Sequence, residues 1–205
     1  MRIKHLISVS IIVMFLVAGM SSIVYSKPVS DETNVLEGEK AVFIITDLEM
    51  EPWYLFKAYL EANGVEVDLA APSDRRVMGC PSACFGGISP DLTINEIDPK
   101  DYDAIVLAGG GPVPALLGAR DENLIRLIRE FDTERKVIGA FCMNSTVLEK
   151  AGIFEGKGTP PPPCPFPGTF RIGDNIVTGA TPVSFPSFSE ELVACMKENA
   201  IQNGR

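Results

Sequence analysis

Strand, helix and strand follow one another within thirty residues near the start of the folded part of this chain. Ala41 to Thr46 (AVFIIT) reads as a buried strand. Pro52 fits the first turn of a helix. That helix carries Trp53, Phe56 and Leu60 on one face, with Tyr59 beside them, and stops at Gly64. Val65 to Ala70 is the second strand. A crossover helix returns the chain to the same edge, so the two strands pair in parallel. Parallel sheets are covered on both faces, which predicts an α/β fold.

The rest of the chain keeps that alternation. Ala104 to Leu107 (AIVL) is a third core strand, and it runs into Ala108-Gly109-Gly110-Gly111-Pro112. Glycines after a parallel strand let backbone approach a ligand, or serve turn geometry alone. The run lacks the G-x-G-x-x-G order and the Walker lysine, so no nucleotide site and no cofactor are read from it. Asp121 caps a helix whose stripe of Leu124, Ile125, Leu127, Ile128 and Phe131 is core. Ala71 to Lys100 is less regular and predicts turns with one or two short strands. Thr169 to Ile172 and Asn175 to Thr178 read as strands around a Gly173-Asp174 turn. Ser187 to Glu190 has the spacing of a capping box opening the last helix. Leu192, Cys195, Met196 and Asn199 share one face of that helix, which makes Cys195 core.

Lys136 to Ile153 (KVIGAFCMNSTVLEKAGI) carries the chemistry. Val137 to Phe141 is a buried strand, Cys142 a one-residue corner, and Val147, Leu148 and Ala151 have helical spacing up to Gly152. A thiol at that junction sits beside unpaired helix N–H groups and the positive end of the helix dipole, which favour thiolate. This is the layout of a nucleophile elbow with cysteine in place of serine. A small buried hydrophobe at a strand end explains the same residues equally well.

The 205-residue chain opens with a stretch of another kind. Residues 1–26 hold a basic start (MRIKH), an apolar run from Leu6 to Met20, and Val24-Tyr25-Ser26 before Lys27. The three-part layout reads as a signal peptide. The alternative is an uncleaved anchor, because Leu6 to Tyr25 is uncharged and long enough to span a bilayer. Residues 27–40 are polar and read as a linker, leaving one domain over 41–200. Cleavage would remove Arg2 and Lys4 and no acid, taking the net charge from −9 to −11. Such a surface repels phosphate backbones, which argues against nucleic-acid binding. The single histidine is His5, inside the leader. The remaining domain can hold no Cys–His dyad, no Ser–His–Asp triad and no histidine metal ligand.

Several segments together resemble the ThiJ/PfpI superfamily, which includes the Parkinson-associated deglycase and the PfpI-type archaeal peptidases. They are Asp47-Leu-Glu-Met-Glu51, Tyr102-Asp-Ala-Ile-Val-Leu-Ala-Gly-Gly110, Lys136-Val-Ile-Gly-Ala-Phe-Cys142, Ala151-Gly-Ile-Phe-Glu-Gly-Lys157 and Asp174-Asn-Ile-Val-Thr-Gly179. The resemblance implies a flavodoxin-like three-layer sandwich of the class I glutamine amidotransferase kind. It also implies a homodimer or larger homo-oligomer. Under it Cys142 is the nucleophile and Glu51 the acid hydrogen-bonded to it. The backbone N–H groups of Gly110 and Met143 form the oxyanion hole. Met143 stands where PfpI-type peptidases carry histidine, which argues against a peptidase. Asn144 stands where glycine usually relieves the turn, and asparagine tolerates left-handed geometry. Gly158 to Phe170 is short and proline-filled where relatives have a longer lid, so no substrate contacts carry over there.

Three readings follow. The first is an exported cysteine-dependent enzyme, hydrolase, deglycase or lyase-like, acting on a small carbonyl, glycated or acyl substrate. The second is a redox-responsive or binding protein without turnover. An oxidising compartment would permit a disulfide between Cys80 and Cys84, and Cys164 could act as a resolving thiol for Cys142. The third, structural zinc at Cys80, Cys84 and Cys164, has irregular spacing against it, and no metal is assigned.

Overall fold

The computed structural model describes residues 35–47, 53–78, 86–109, 111, 115, 117–159 and 167–204. The strands are β1 (Lys40–Ile44), β2 (Glu66–Ala71), β3 (Leu92–Thr93), β4 (Ala104–Leu107), β5 (Val137–Phe141), β6 (Thr169–Ile172) and β7 (Ile176–Gly179). The principal helices are α1 (Trp53–Ala62), α2 (Glu122–Thr133), α3 (Ser145–Ala151) and α4 (Phe185–Gln202). One sheet runs in the order β3-β2-β1-β4-β5-β7-β6. Every neighbouring pair is parallel except β6 with β7. None of the described helices is long and apolar enough to cross a membrane.

Side-chain alternation along the strands builds a core on each face. Ala41, Phe43, Ala104, Val106, Val137 and Phe141 pack with α1 and α4 on one side. Val42, Ile44, Ile105, Leu107, Ile138 and Ala140 pack with α2 and α3 on the other. The result is the three-layer sandwich expected from the βαβ pattern. α1 buries Trp53, Phe56 and Leu60, and α2 buries the whole expected stripe. The Asp121 carboxylate accepts from the N–H groups of Asn123 at 3.0 Å and Leu124 at 3.1 Å, so the expected cap is present.

Two boundaries differ from the sequence reading. The fold begins before Ala41. Leu36 is fully buried, Glu39 is buried, and the carbonyl of Glu39 accepts from the N–H of Glu66 at 2.9 Å. The last residues of the expected linker therefore belong to the domain, fastened by Leu36 in the core and Val35 packed against it. The last helix starts at Phe185, not after Ser187. Pro186 occupies its first turn, where no N–H is needed. The Ser187 hydroxyl donates instead to the Ser184 carbonyl at 3.1 Å, so the expected capping box does not form. Its partner face holds as expected, with Leu192, Cys195 and Met196 buried.

Candidate active site

β5 is buried along its whole length and delivers the chain to the carboxyl edge of the sheet. In an open parallel sheet that edge holds the ligand site. Phe141 is still extended, with φ −103° and ψ 137°. Cys142 then takes φ 57°, in the left-handed region. A side chain there meets its own backbone, and residues other than glycine adopt it at a cost of about 1–2 kcal/mol. A 3₁₀ turn over Cys142–Asn144 follows, and α3 continues from it. The expected one-residue corner is thus a full turn, strained at its first residue. Cys142 is half-buried.

Asparagine does not carry the left-handed geometry. Asn144 is right-handed, at φ −65° and ψ −14°, and only 5% exposed. Its side-chain amide donates to the carbonyl of Leu107 at 3.3 Å and to that of Gly109. The elbow is thereby tied to the loop leaving β4. Ser145 and Thr146 hold it from the other side. The Ser145 hydroxyl donates to the Cys142 carbonyl at 3.3 Å, and that of Thr146 to the Met143 carbonyl at 2.8 Å. These side chains satisfy turn carbonyls locally, which is how serine and threonine act at helix ends.

The core on the α1 and α4 side contains a group of aromatic rings. Cys142 packs against the core cluster on the α1 and α4 side. The Phe56 ring centroid is 4.8 Å from that of Phe141, 5.0 Å from Phe185 and 5.0 Å from Phe188. Edge-on and offset ring pairs of this kind stabilise beyond their buried area. A neighbouring loop is also anchored, since the Asp47 carboxylate after β1 accepts from the Met78 N–H at 2.7 Å.

Of the expected site residues, Cys142 and Met143 stand together in the turn, and Met143 is half-buried. Glu51 and Gly110 lie outside the described residues, as do Cys80, Cys84, Cys164 and the leader. Among the described residues no group of three or more His, Cys, Asp or Glu side chains could hold a metal ion. Cys195 is fully buried, and burial pushes its thiol up to about 12, against the nearby Arg171 charge, which acts to lower it. Its Sγ donates to the Asp174 carbonyl at 3.4 Å. Asn144, Ser145 and Thr146 were not singled out for these bonds by sequence. The available signal was a run of three small polar residues one position beyond a buried strand and its corner.

The family model for the DJ-1/PfpI family matches residues 39–160, which include β1, β4, the elbow and α3. The chain belongs to the DJ-1/PfpI family. Among its relatives is the uncharacterized protein MJ0967 of Methanocaldococcus jannaschii, 30% identical over 137 residues, or 63% of this chain. The match spans 62% of that relative, less than two thirds of its length. Deglycase PH1704 of Pyrococcus horikoshii is 30% identical over 122 residues, covering 58% of this chain and 70% of the relative. The fold is shared with a ThiJ/PfpI domain protein from Brachyspira murdochii. That likeness has a TM-score of 0.66 at 17% identity, covering 79% of this chain and 98% of the other.

Proposed function

We propose that this family member is a cysteine-dependent enzyme acting on small carbonyl, glycated or acyl substrates. The observation that carries the reading is the φ of 57° at Cys142, at the carboxyl end of the interior strand β5. Strain of this kind persists only where the surroundings impose it, and it gathers at reactive residues. Relatives named deglycases, PH1704 among them, support the same chemistry.

In this mechanism the Cys142 sulfur adds to the carbonyl carbon. A C–S bond forms and the carbonyl π pair moves onto oxygen. The N–H groups of Met143 and Gly110 would hold that oxyanion. The thiol proton passes through Glu51 to the oxygen, which closes the addition as a hemithioacetal. With a 2-oxoaldehyde the proton on the adduct carbon then passes to the neighbouring carbonyl carbon, and water cleaves the resulting thioester to a 2-hydroxy acid and the free thiol. With an acyl substrate the leaving group departs from the tetrahedral adduct, and water then releases the acid and restores the thiol. Export by cleavage near Lys27 and assembly into a homodimer or larger oligomer belong to the same proposal. Intact mass of protein from its own compartment and light scattering of the purified protein test these two points.

The decisive experiment is turnover of a panel of small aldehydes, glycated thiols and acyl esters by wild type and Cys142→Ser. A serine hydroxyl is far less acidic than a thiol, and a carboxylate such as Glu51 is too weak a base to ionise it, so the substitution should abolish turnover. Turnover that persists would overturn the mechanism. A thiol that alkylates and oxidises readily, with no turnover across the panel, would favour the redox-responsive reading.

A further inference from the structure

We infer that Val183 and Phe185 form an apolar subsite beside Cys142, which receives an uncharged aryl or branched alkyl group carried by the carbonyl substrate. The inference deepens the enzyme reading above and rests on Cys142 as its nucleophile. Alternation along β5 turns Ala140 to the α2 and α3 side and Phe141 to the α1 and α4 side. The next strand residue would turn back to the α2 and α3 side. Cys142 packs instead on the α1 and α4 side with Phe141, because its left-handed backbone breaks the alternation. The thiol therefore shares its side of the sheet with the chain that runs from β7 into α4.

That chain starts next to the elbow. β5 and β7 are parallel neighbours with Phe141 opposite Gly179, so Cys142 and Ala180 leave the sheet side by side. The segment after β7 is pinned at both ends. The Ala180 N–H donates to the Gly168 carbonyl at 2.9 Å, and the Gly168 N–H to the Ser184 hydroxyl at 3.0 Å. Phe185 is partly buried on the same core cluster as Cys142, and its ring stacks on Phe56, which also meets the Phe141 ring. Val183 lies between these fixed points and is 77% exposed, the most of any large apolar side chain among the described residues. One exposed valine is common on a protein surface. Here it adjoins a nucleophile in a sector without charge. Charged residues make up 22% of the chain, yet residues 137–148 and 176–189 hold none. At the same edge Asp47, Asp74, Arg75 and Arg76 follow β1 and β2, on the other side of β4. A phosphate or carboxylate on the substrate would call for a cation on the β7 side. Val183 and Phe185 offer apolar contact there, as small-molecule sites do around the unreactive part of a ligand.

A pair of alkylating probes tests the subsite on the wild-type protein. Iodoacetamide and its phenyl analogue iodoacetanilide both form a C–S bond at a thiol with loss of iodide. Their rate ratio is measured at Cys142 by peptide mapping, and on glutathione as a thiol without a subsite. The ratio at Cys142 should favour the phenyl reagent about fivefold or more over that at glutathione. Val183→Asp should bring the ratio to within about twofold of the glutathione value, and the isosteric Val183→Thr should fall between. Thermal unfolding of the same samples checks the fold. A wild-type ratio equal to that of glutathione, or one that Val183→Asp leaves unchanged, would overturn the inference. So would light scattering in which Val183→Asp dissociates an oligomer with the ratio intact, since the valine would then serve contact between copies. The kcat/KM values for phenyl- and methyl-substituted 2-oxoaldehydes should follow the same order. Turnover without that preference would overturn the subsite alone. The alkylation preference without turnover would overturn the enzyme reading and leave the subsite standing.

Discussion

Phe141 and Gly179 face each other across β5 and β7, and a Cβ on Gly179 would lie 2.8 Å from the Phe141 ring. The same Cβ would come within 3.0 Å of the Phe188 Cβ. Glycine at the end of β7 thus makes room for the side chains of Phe141 and Phe188. Gly179→Ala must push Phe141 or α4 outward. We expect it to destabilise the fold by about 1–3 kcal/mol, read as a lower urea midpoint. Because Phe141 immediately precedes the nucleophile, the rate of Cys142 alkylation should change as well.

Among the described residues Arg135 is the other non-glycine residue with positive φ, at 57°. It is exposed and closes α2. Its N–H donates to the Asp132 carbonyl at 3.0 Å, and the N–H of Lys136 to that of Phe131 at 2.9 Å. Gly152 plays the same part after α3 at φ 76°. Glycine adopts this geometry without the Cβ penalty, so Arg135→Gly should stabilise the protein by about 1 kcal/mol. Thermal unfolding measures it, and an unchanged or lower melting temperature would contradict the argument.

Lys40, Asp68 and Tyr102 form a cluster away from the elbow. The Lys40 ammonium is 2.8 Å from the Asp68 carboxylate, and the Tyr102 hydroxyl donates to that carboxylate at 2.8 Å. Burial acts to raise the Asp68 carboxyl, but the hydrogen bonds from Lys40 and Tyr102, together with the charges of Lys40 and Lys57, outweigh it and hold it below its ordinary value of 3.8. A depressed carboxyl contributes stability above its unfolded value and loses it as pH falls through the folded one. The stability gap between wild type and Asp68→Asn should therefore be widest near neutral pH and close below pH 3.8. The side chains are 33% and 30% exposed, so solvent screening keeps the ion-pair part of the gap to about 1 kcal/mol or less. Urea midpoints from pH 7 down to the acid limb would show it.

The two described thiols should separate sharply in native protein. Cys142 is half-buried at the sheet edge, while Cys195 is fully buried and pushed up to about 12. Peptide mapping after iodoacetamide near neutral pH should find Cys142 modified at least about a hundredfold faster. Unfolding in denaturant should erase most of that difference. Equal native rates would remove the distinction between a reactive and a structural cysteine.

The α/β class and the elbow were legible because they rest on local patterns. Apolar runs at β1, β4 and β5, the stripe of α2 with its Asp121 cap, and Gly152 after α3 each declare themselves within a few residues. Cys142 stood out for the same reason, as a thiol where strand period gives way to helix period. Tertiary structure decided what depends on partners far along the chain. Leu36 joins the core only because the sheet offers it a place, and α4 starts where Pro186 can tolerate its missing donor. Asn144 looked like a residue suited to left-handed backbone, yet the strain falls on Cys142. The reason is that the Asn144 amide finds buried carbonyls at Leu107 and Gly109, 37 and 35 positions earlier in the chain. Sequence periodicity reports which face a residue occupies, but not which distant backbone groups await it there.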